Sequence, residues 1–242
     1  MKKLIVSIFL GLVMVCGAVS AQNASPSIAE QAVSRMGEKW CADRHEQKMA
    51  IAQKGGIDLV FLGDSITHNW ERAGKDVWAK YYGNRHALNL GYGADRTEHV
   101  IWRITNGELD GISPKLIILM IGTNNVGHQS STPEQTVAGI KKILAILAEK
   151  APQAKVLLLA VFPRSENPTD SLRVKVNEIN AGLPALADGE RVFFLDFGKQ
   201  FLKEDGTLPA EMMRDRLHPG AEGYEIWAQA LEPFVQKYVD QK

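Results

Sequence analysis

The sequence predicts a single doubly wound α/β domain, in which helices cover both faces of a parallel sheet. Runs that are apolar on both faces are typical of buried parallel strands. Five such runs recur, at residues 57–62, 87–90, 116–121, 156–162 and 191–195. Helical segments alternate with these runs, and 242 residues of ordinary globular composition suit one domain.

The first 21 residues predict a cleaved export signal. Two lysines precede an apolar stretch at 4–15, and a small-residue cleavage site follows at 19–21. We expect cleavage after Ala21, with the mature protein periplasmic or secreted. An uncleaved anchor and lipidation at Cys16 are the alternatives. The apolar stretch is short for a membrane span, and Val15 is larger than the residue that usually precedes a lipidated cysteine.

Composition narrows the classes of function. The chain has 28 basic and 28 acidic residues, which does not favour binding to nucleic acid. Removal of residues 1–21 leaves 26 basic and 28 acidic residues. It also leaves one cysteine, Cys41, so no intramolecular disulfide can form, and we expect Cys41 to be a small buried apolar residue.

The sequence contains no phosphate loop, no Gly-x-Ser-x-Gly elbow and no metal-ligand cluster, and Gly91-x-Gly93 has Arg96 where a dinucleotide motif needs glycine.

Residues 22–56 are predicted to form a helical segment that packs on the main domain, which covers 57–242. Ser27-Ile28-Ala29-Glu30 is a capping-box pattern. We expect a helix from there to about residue 53, with Trp40 among its apolar anchors, before two glycines end it.

Two later helices have clear signals. Thr132-Pro133-Glu134-Gln135 is typical of a helix start, with proline at the first helical position. Apolar residues then recur at steps of three and four as far as Leu147. The last helix is expected to begin near Gly220, with Tyr224 and Trp227 on its apolar face.

Polar residues follow the predicted strands at the edge where such sheets bind ligands. These segments are Gly63-Asp64-Ser65, Gly91 to Asp95, Gly122-Thr123-Asn124 and Pro163-Arg164, with Asp215 to His218 before the last helix.

The candidate catalytic residues are Ser65, His218 and Asp215. A serine hydroxyl is a weak nucleophile at neutral pH and needs a base, which His218 can supply while Asp215 orients its ring. An Asp-x-x-His pair alone occurs often by chance, as a capping aspartate beside a surface histidine. Its combination with Gly-Asp-Ser and Gly-x-Asn favours the catalytic interpretation.

Acyl transfer also needs donors for the oxyanion. The candidates are the backbone N–H of Ser65, the side-chain amide of Asn124 and a backbone N–H at Gly93-Ala94. Asp64 is expected to be structural, tying the turn at Ser65 to adjacent backbone.

Three residues are candidates for contact with the substrate, namely His68, Gly93 and Arg164. Trp70 fits either the substrate site or the core equally well. An ordinary solvated arginine would explain Arg164 as well.

These motifs resemble the SGNH (GDSL) hydrolase superfamily, whose signature comprises a serine in Gly-Asp-Ser, a glycine, an asparagine in Gly-x-Asn and a histidine in Asp-x-x-His. Ser65, Asn124 and His218 match directly. Segments 86–95 and 97–110 most resemble the catalytic subunits of type I platelet-activating-factor acetylhydrolase, as do 121–125 and 152–155. The resemblance implies a flavodoxin-like three-layer sandwich with a five-stranded parallel sheet. It also implies a serine esterase that acts on short, often acetyl, esters without metal or cofactor.

One position departs from the family pattern. The family has its oxyanion glycine immediately before an aspartate, where this chain has Ala94 before Asp95. If the backbone there is left-handed, alanine costs about 1–2 kcal/mol. Ala94→Gly is therefore predicted to leave activity equal or higher.

The expected substrate is a small acyl ester, with acetylated sugars as the leading hypothesis because an export signal accompanies the acetyl-ester resemblance. A phospholipid or lysophospholipid acylhydrolase is the alternative enzyme. An inactive hydrolase fold that serves as a carbohydrate-binding module is the alternative of another class. We expect no nucleic-acid partner and no membrane span in the mature chain, and the sequence indicates no oligomeric state.

Overall fold

The computed structural model describes residues 26–241, and the predicted export signal at 1–21 lies outside them. One sheet contains β1 (Leu59–Gly63), β2 (Ala87–Gly91), β3 (Leu116–Met120), β4 (Lys155–Leu159) and β5 (Val192–Leu195). All four strand pairings are parallel, in the order β2-β1-β3-β4-β5. This is the flavodoxin-like order of doubly wound sheets. The predicted fold class is confirmed.

Eight α-helices surround the sheet within the described residues. They are α1 (Lys39–Ala52), α2 (Ser65–His68), α3 (Lys75–Tyr82), α4 (Thr97–Thr105), α5 (Thr123–Gly127), α6 (Pro133–Lys150), α7 (Ser171–Gly182) and α8 (Ala221–Val235). Helices α4, α6 and α7 contribute to the apolar cluster on one face of the sheet, and α3 and α8 to the cluster on the other. The result is a three-layer sandwich.

The strands are apolar on both sides because both faces are covered. In β1, Val60 and Leu62 belong to one cluster, whereas Leu59 and Phe61 belong to the other. Successive side chains of a strand alternate between its faces. A buried parallel strand therefore needs a continuous apolar run, as the sequence indicated.

The N-terminal segment differs from its prediction. Glu30 accepts a hydrogen bond from the backbone N–H of Ser27 at 3.1 Å, but the segment they open is one 3-10 turn, Ile28–Glu30. The continuous helix predicted from there to about residue 53 was wrong, because residues 31–38 are not helical and α1 begins only at Lys39. Tertiary contacts replace helical ones in this stretch: the backbone N–H of Val33 donates to the carbonyl of Glu98 at 3.1 Å.

Other local predictions are confirmed. Thr132 caps α6, since its hydroxyl accepts from the backbone N–H of Gln135 at 3.2 Å. Gly220 is the N-cap of α8. Cys41 is 1% exposed, and burial raises the pKa of its thiol to about 11. Across residues 26–241, no helix is long and apolar enough to cross a membrane.

Candidate active site

Ser65 opens α2 directly after β1. The preceding Asp64 is the N-cap of that helix, and its carboxylate accepts from the backbone N–H of Ile66 at 2.9 Å. This is the structural contact that the sequence predicted for Asp64. Asp64 is 1% exposed, and burial raises the pKa of its carboxyl to about 7.

Glycines let α2 lie against the ends of two strands. A Cβ on Gly63 would clash with Oγ1 of Thr67 in α2 and with the carbonyl oxygen of Met120, and one on Gly91 would clash with the backbone nitrogen of His68. Real Cβ atoms do not approach backbone so closely. Glycine at both positions therefore fixes how deeply Ser65 and its helix are seated.

The structure brings Ser65, His218 and Asp215 together in one line. The Oγ of Ser65 lies 2.8 Å from Nε2 of His218, whose Nδ1 lies 2.6 Å from Oδ2 of Asp215. The other oxygen of Asp215 accepts from the backbone N–H groups of Leu217 at 3.1 Å and His218 at 2.8 Å. Burial acts to raise the pKa of Asp215, but its hydrogen bonds with His218 outweigh this and hold it below the usual value. An ionised, fixed carboxylate thus faces the ring of His218.

Residues 92–96 follow β2 and include Ala94, the oxyanion donor that the sequence predicts, so we call this segment the oxyanion loop after that prediction. Ala94 has a φ of 62°, in the left-handed region, and is exposed. The side-chain amide of Asn124, at the start of α5, donates to the carbonyl of Asp95 at 2.9 Å. An amide group has two N–H donors, so this contact engages one of them while it ties α5 to the loop.

A cavity of about 320 Å³ opens above Ser65. Its lining residues are Trp40, Ser65, His68, Asn69, Arg72, Gly93 and His218. The rings of Trp40 and His68 are nearly parallel, at 15°, with centroids 6.4 Å apart. Burial, reinforced by the charge of Arg44, lowers the pKa of His68 to about 4, so its imidazole is neutral near pH 7. The predicted contacts His68 and Gly93 thus share a cavity with Ser65.

Two other candidates have different surroundings. Arg164 is not among the residues that line the cavity, because its Nη1 donates to the carbonyl of Thr123 at 3.0 Å and to its hydroxyl at 3.1 Å. It braces the residue before Asn124. Trp70 is 0% exposed inside an aromatic cluster with Phe61 and Tyr224, so its core interpretation is confirmed.

Three residues of the cavity wall were not predicted from the sequence as substrate contacts, namely Trp40, Asn69 and Arg72. Trp40 was predicted as an apolar anchor but is 42% exposed. Asn69 and Arg72 follow α2 within a few residues of Ser65, and that proximity in sequence was the available signal. Within residues 26–241, no group of three or more His, Cys, Asp or Glu side chains is arranged to hold a metal ion.

A known protein family matches the part of the chain that contains this site. The family model described as GDSL-like lipase/acylhydrolase matches residues 61–226, a span that contains Ser65, Asn124, Asp215 and His218. The chain belongs to this GDSL-like lipase/acylhydrolase family. The resemblance found in the sequence is confirmed, and the GDSL chain is a hydrolase that cleaves esters.

Relatives and solved structures agree with the family. The GDSL chain is 37% identical over 198 residues to platelet-activating factor acetylhydrolase IB subunit alpha1 of Homo sapiens, covering 81% of this chain and 83% of that protein. A GDSL-like lipase from Bacteroides thetaiotaomicron has a TM-score of 0.66 at 22% identity, covering 81% and 97%. An acetylxylan esterase from Geobacillus stearothermophilus has a TM-score of 0.58 at 19% identity, covering 76% and 94%. At these identities the two structures show a shared fold.

Proposed function

We propose that this GDSL hydrolase is a serine esterase that removes short acyl groups, chiefly acetyl, from carbohydrates. The observation that carries the proposal is the alignment of Ser65, His218 and Asp215, with 2.8 Å and 2.6 Å between their side chains. In this mechanism Nδ1–H of His218 donates to Asp215, which leaves Nε2 to accept the proton of Ser65.

The reaction has two halves. Ser65 Oγ attacks the ester carbonyl while His218 takes its proton, and the tetrahedral intermediate collapses when His218 returns that proton to the departing alcohol. Water then attacks the acyl-enzyme, with His218 as base again, and releases the carboxylic acid and Ser65. In both halves the backbone N–H groups of Ser65 and Ala94 and the amide of Asn124 stabilise the oxyanion.

The carbohydrate part of the proposal is supported by the cavity wall. Trp40 and the neutral His68 contribute aromatic rings to the cavity wall beside Ser65, and aromatic rings of this kind can pack against the apolar parts of a sugar. Asn69 and Arg72 add hydrogen-bond donors, in the manner of pockets that place a few polar groups among aromatic ones. The acetylxylan esterase among the structural neighbours offers the same substrate class.

A panel of esters tests this proposal. Acetate, butyrate and octanoate p-nitrophenyl esters, acetylated xylo-oligosaccharides and an acetylated ether phospholipid are given to the wild type and to Ser65→Ala. Ser171→Ala, at the exposed start of α7, is the matched control. We expect acetate and acetylated sugar to be preferred, with activity lost in Ser65→Ala and kept in Ser171→Ala.

Other outcomes would overturn the proposal. Preference for octanoate or for the phospholipid would identify the alternative acylhydrolase. Sugar binding without hydrolysis would identify a carbohydrate-binding module on an inactive fold. Unchanged hydrolysis by purified Ser65→Ala would exclude Ser65 as nucleophile.

We also propose export through a signal cleaved after Ala21. Expression of the full chain in a Gram-negative host, fractionation and N-terminal sequencing test it. A periplasmic or secreted product that begins at Gln22 is expected, and a cytoplasmic product that retains residues 1–21 would contradict it.

A further inference from the structure

We propose that Arg35 is a positioning residue that holds the oxyanion loop in its catalytic conformation, an inference that rests on the proposed esterase function. Arg35 precedes α1, about 60 positions from the loop in sequence. Its Nη1 donates to the carbonyl of Gly93 and to Oδ1 of Asp95, both at 2.7 Å. One guanidinium nitrogen thus bridges the residues on either side of Ala94.

Arg35 is itself held in place. Its Nε and Nη2 donate to the two oxygens of Glu38, each at 2.9 Å, and its Cζ lies 5.2 Å from the centre of the Trp40 ring. The arginine side chain is 11% exposed. Burial acts to lower its pKa, but the carboxylates of Glu38 and Asp95 outweigh this and keep the pKa above the ordinary value. The side chain is therefore a charged and rigid brace.

The loop is anchored from the main domain as well. Asp95 is 1% exposed, and its second oxygen accepts from Nε of Arg103 in α4 at 2.8 Å. Its carbonyl accepts from the amide of Asn124 at 2.9 Å. These contacts fix Asp95, whereas the Arg35 contact also fixes Gly93, on the side of the loop that faces the cavity.

The strained residue lies between these fixed points. The left-handed φ of Ala94 is energetically unfavourable for an alanine. Such a conformation persists only where contacts with the surrounding structure hold it in place. Without Arg35, the Gly93 carbonyl loses a charged donor, and the peptide that carries the Ala94 N–H can rotate toward ordinary φ. That rotation moves an oxyanion donor away from the reacting carbonyl. Arg35 makes no hydrogen bond to Ser65, His68 or Asn69 of the cavity wall, and its packing on Trp40 matters less for a substrate as small as p-nitrophenyl acetate. Loss of Arg35 should therefore lower kcat more than it changes KM.

Steady-state kinetics with Arg35→Ala test the role. We expect kcat for p-nitrophenyl acetate to fall at least tenfold with KM changed less than threefold, because loss of an oxyanion donor acts on the transition state. Arg35→Lys should recover little, since one ammonium cannot hold both Glu38 and the loop. Arg191→Ala is the matched control: Arg191 also donates to backbone carbonyls, of Leu147 and Ala151, at the opposite end of the sheet, and should retain full kcat.

A double-mutant cycle separates positioning from general stability. Glycine tolerates the left-handed conformation, so Arg35→Ala should cost less in an Ala94→Gly background, by at least threefold in kcat. Equal losses in both backgrounds would overturn the positioning role. Thermal unfolding confirms that each variant is folded, and Arg35→Gln replaces Arg35→Ala if the latter is not.

Hydrogen exchange provides a readout that needs no activity. Arg35→Ala should speed exchange of the amides at 93–96 while leaving β3 protected, and unchanged exchange there would overturn the inference. A wild-type protein that hydrolyses no ester would instead overturn the proposed function, whatever the exchange result.

Discussion

Replacing Ala94 by glycine should stabilise the protein. Its φ of 62° costs an alanine about 1–2 kcal/mol, which glycine does not incur. Glycine in turn gains freedom in the unfolded chain, which costs about 0.4–1 kcal/mol. Ala94 is exposed, so loss of its methyl group removes little buried surface. The net expectation is a gain of up to about 1.6 kcal/mol in the free energy of unfolding, with a mid-range value of about 0.8 kcal/mol.

Urea unfolding measures this difference, with Ala187→Gly as the matched control. Ala187 lies in the loop before β5 with a φ of −83°, where alanine is unstrained. Its replacement should therefore cost about 0.4–1 kcal/mol. The two variants make the same chemical change, but their effects are expected to have opposite signs.

Esterase activity of the Ala94→Gly protein tests the conformation of the oxyanion loop. Ala94→Gly keeps the backbone N–H in place, so kcat for p-nitrophenyl acetate should equal or exceed the wild-type value. Destabilisation equal to that of Ala187→Gly would refute the strain, and a large loss of kcat would refute the assigned conformation of the loop.

Three further predictions follow from the site. Asp215→Asn should lower kcat by roughly 10³–10⁴ with little change in KM, because it removes the acceptor that selects the tautomer of His218; a loss below tenfold in steady-state kinetics would contradict this. Gly91→Ala should destabilise the protein by more than about 2 kcal/mol in urea unfolding, since its Cβ would meet backbone that cannot yield, and near-neutral stability would show that α2 can shift. The pKa of Asp64 is raised from 3.8 to about 7 by burial, so between these values the folded state holds a proton that the unfolded state releases, and the contribution of Asp64 to wild-type stability should fall as pH rises from 4 to 7. Burial lowers the pKa of His68 to about 4 and that of His99 to about 3, which acts in the opposite direction, so the quantity to compare is the difference in stability between the wild type and Asp64→Asn. Asp64→Asn should remove that fall, worth a few kcal/mol, and parallel pH–stability curves for the two proteins would refute it.

Local patterns predicted the sheet and the residues at its edge. Largely apolar runs marked all five strands, because helices cover both faces of the sheet. Asn89 is a polar exception in β2, where its amide donates to the carbonyl of Thr67. Ser65 and Asn124 were found because each lies within a few residues of the carboxyl end of a strand, where this fold class binds its ligands. Their catalytic roles stay predictions, whereas the contact between Ser65 and His218 is observed.

Features that depend on distant contacts were not predictable. The stretch 31–38 leaves the helical conformation because its partners lie in the oxyanion loop and α4, about 60 residues away in sequence. Trp40 lies in a helix as predicted, but the local sequence does not indicate that its side chain lines the cavity. Arg164 follows a strand as expected, but its long side chain turns toward Thr123 rather than the cavity.

The most direct test of the account is to trap the acyl-enzyme. Wild-type protein mixed with p-nitrophenyl acetate, quenched in acid within milliseconds and digested, should yield one acetylated peptide by mass spectrometry, and that peptide should contain Ser65. A His218→Ala protein should show no such adduct on the same timescale. Steady hydrolysis with acetyl found on another residue, or with no adduct at Ser65 at any quench time, would contradict the central claim that Ser65 is the nucleophile.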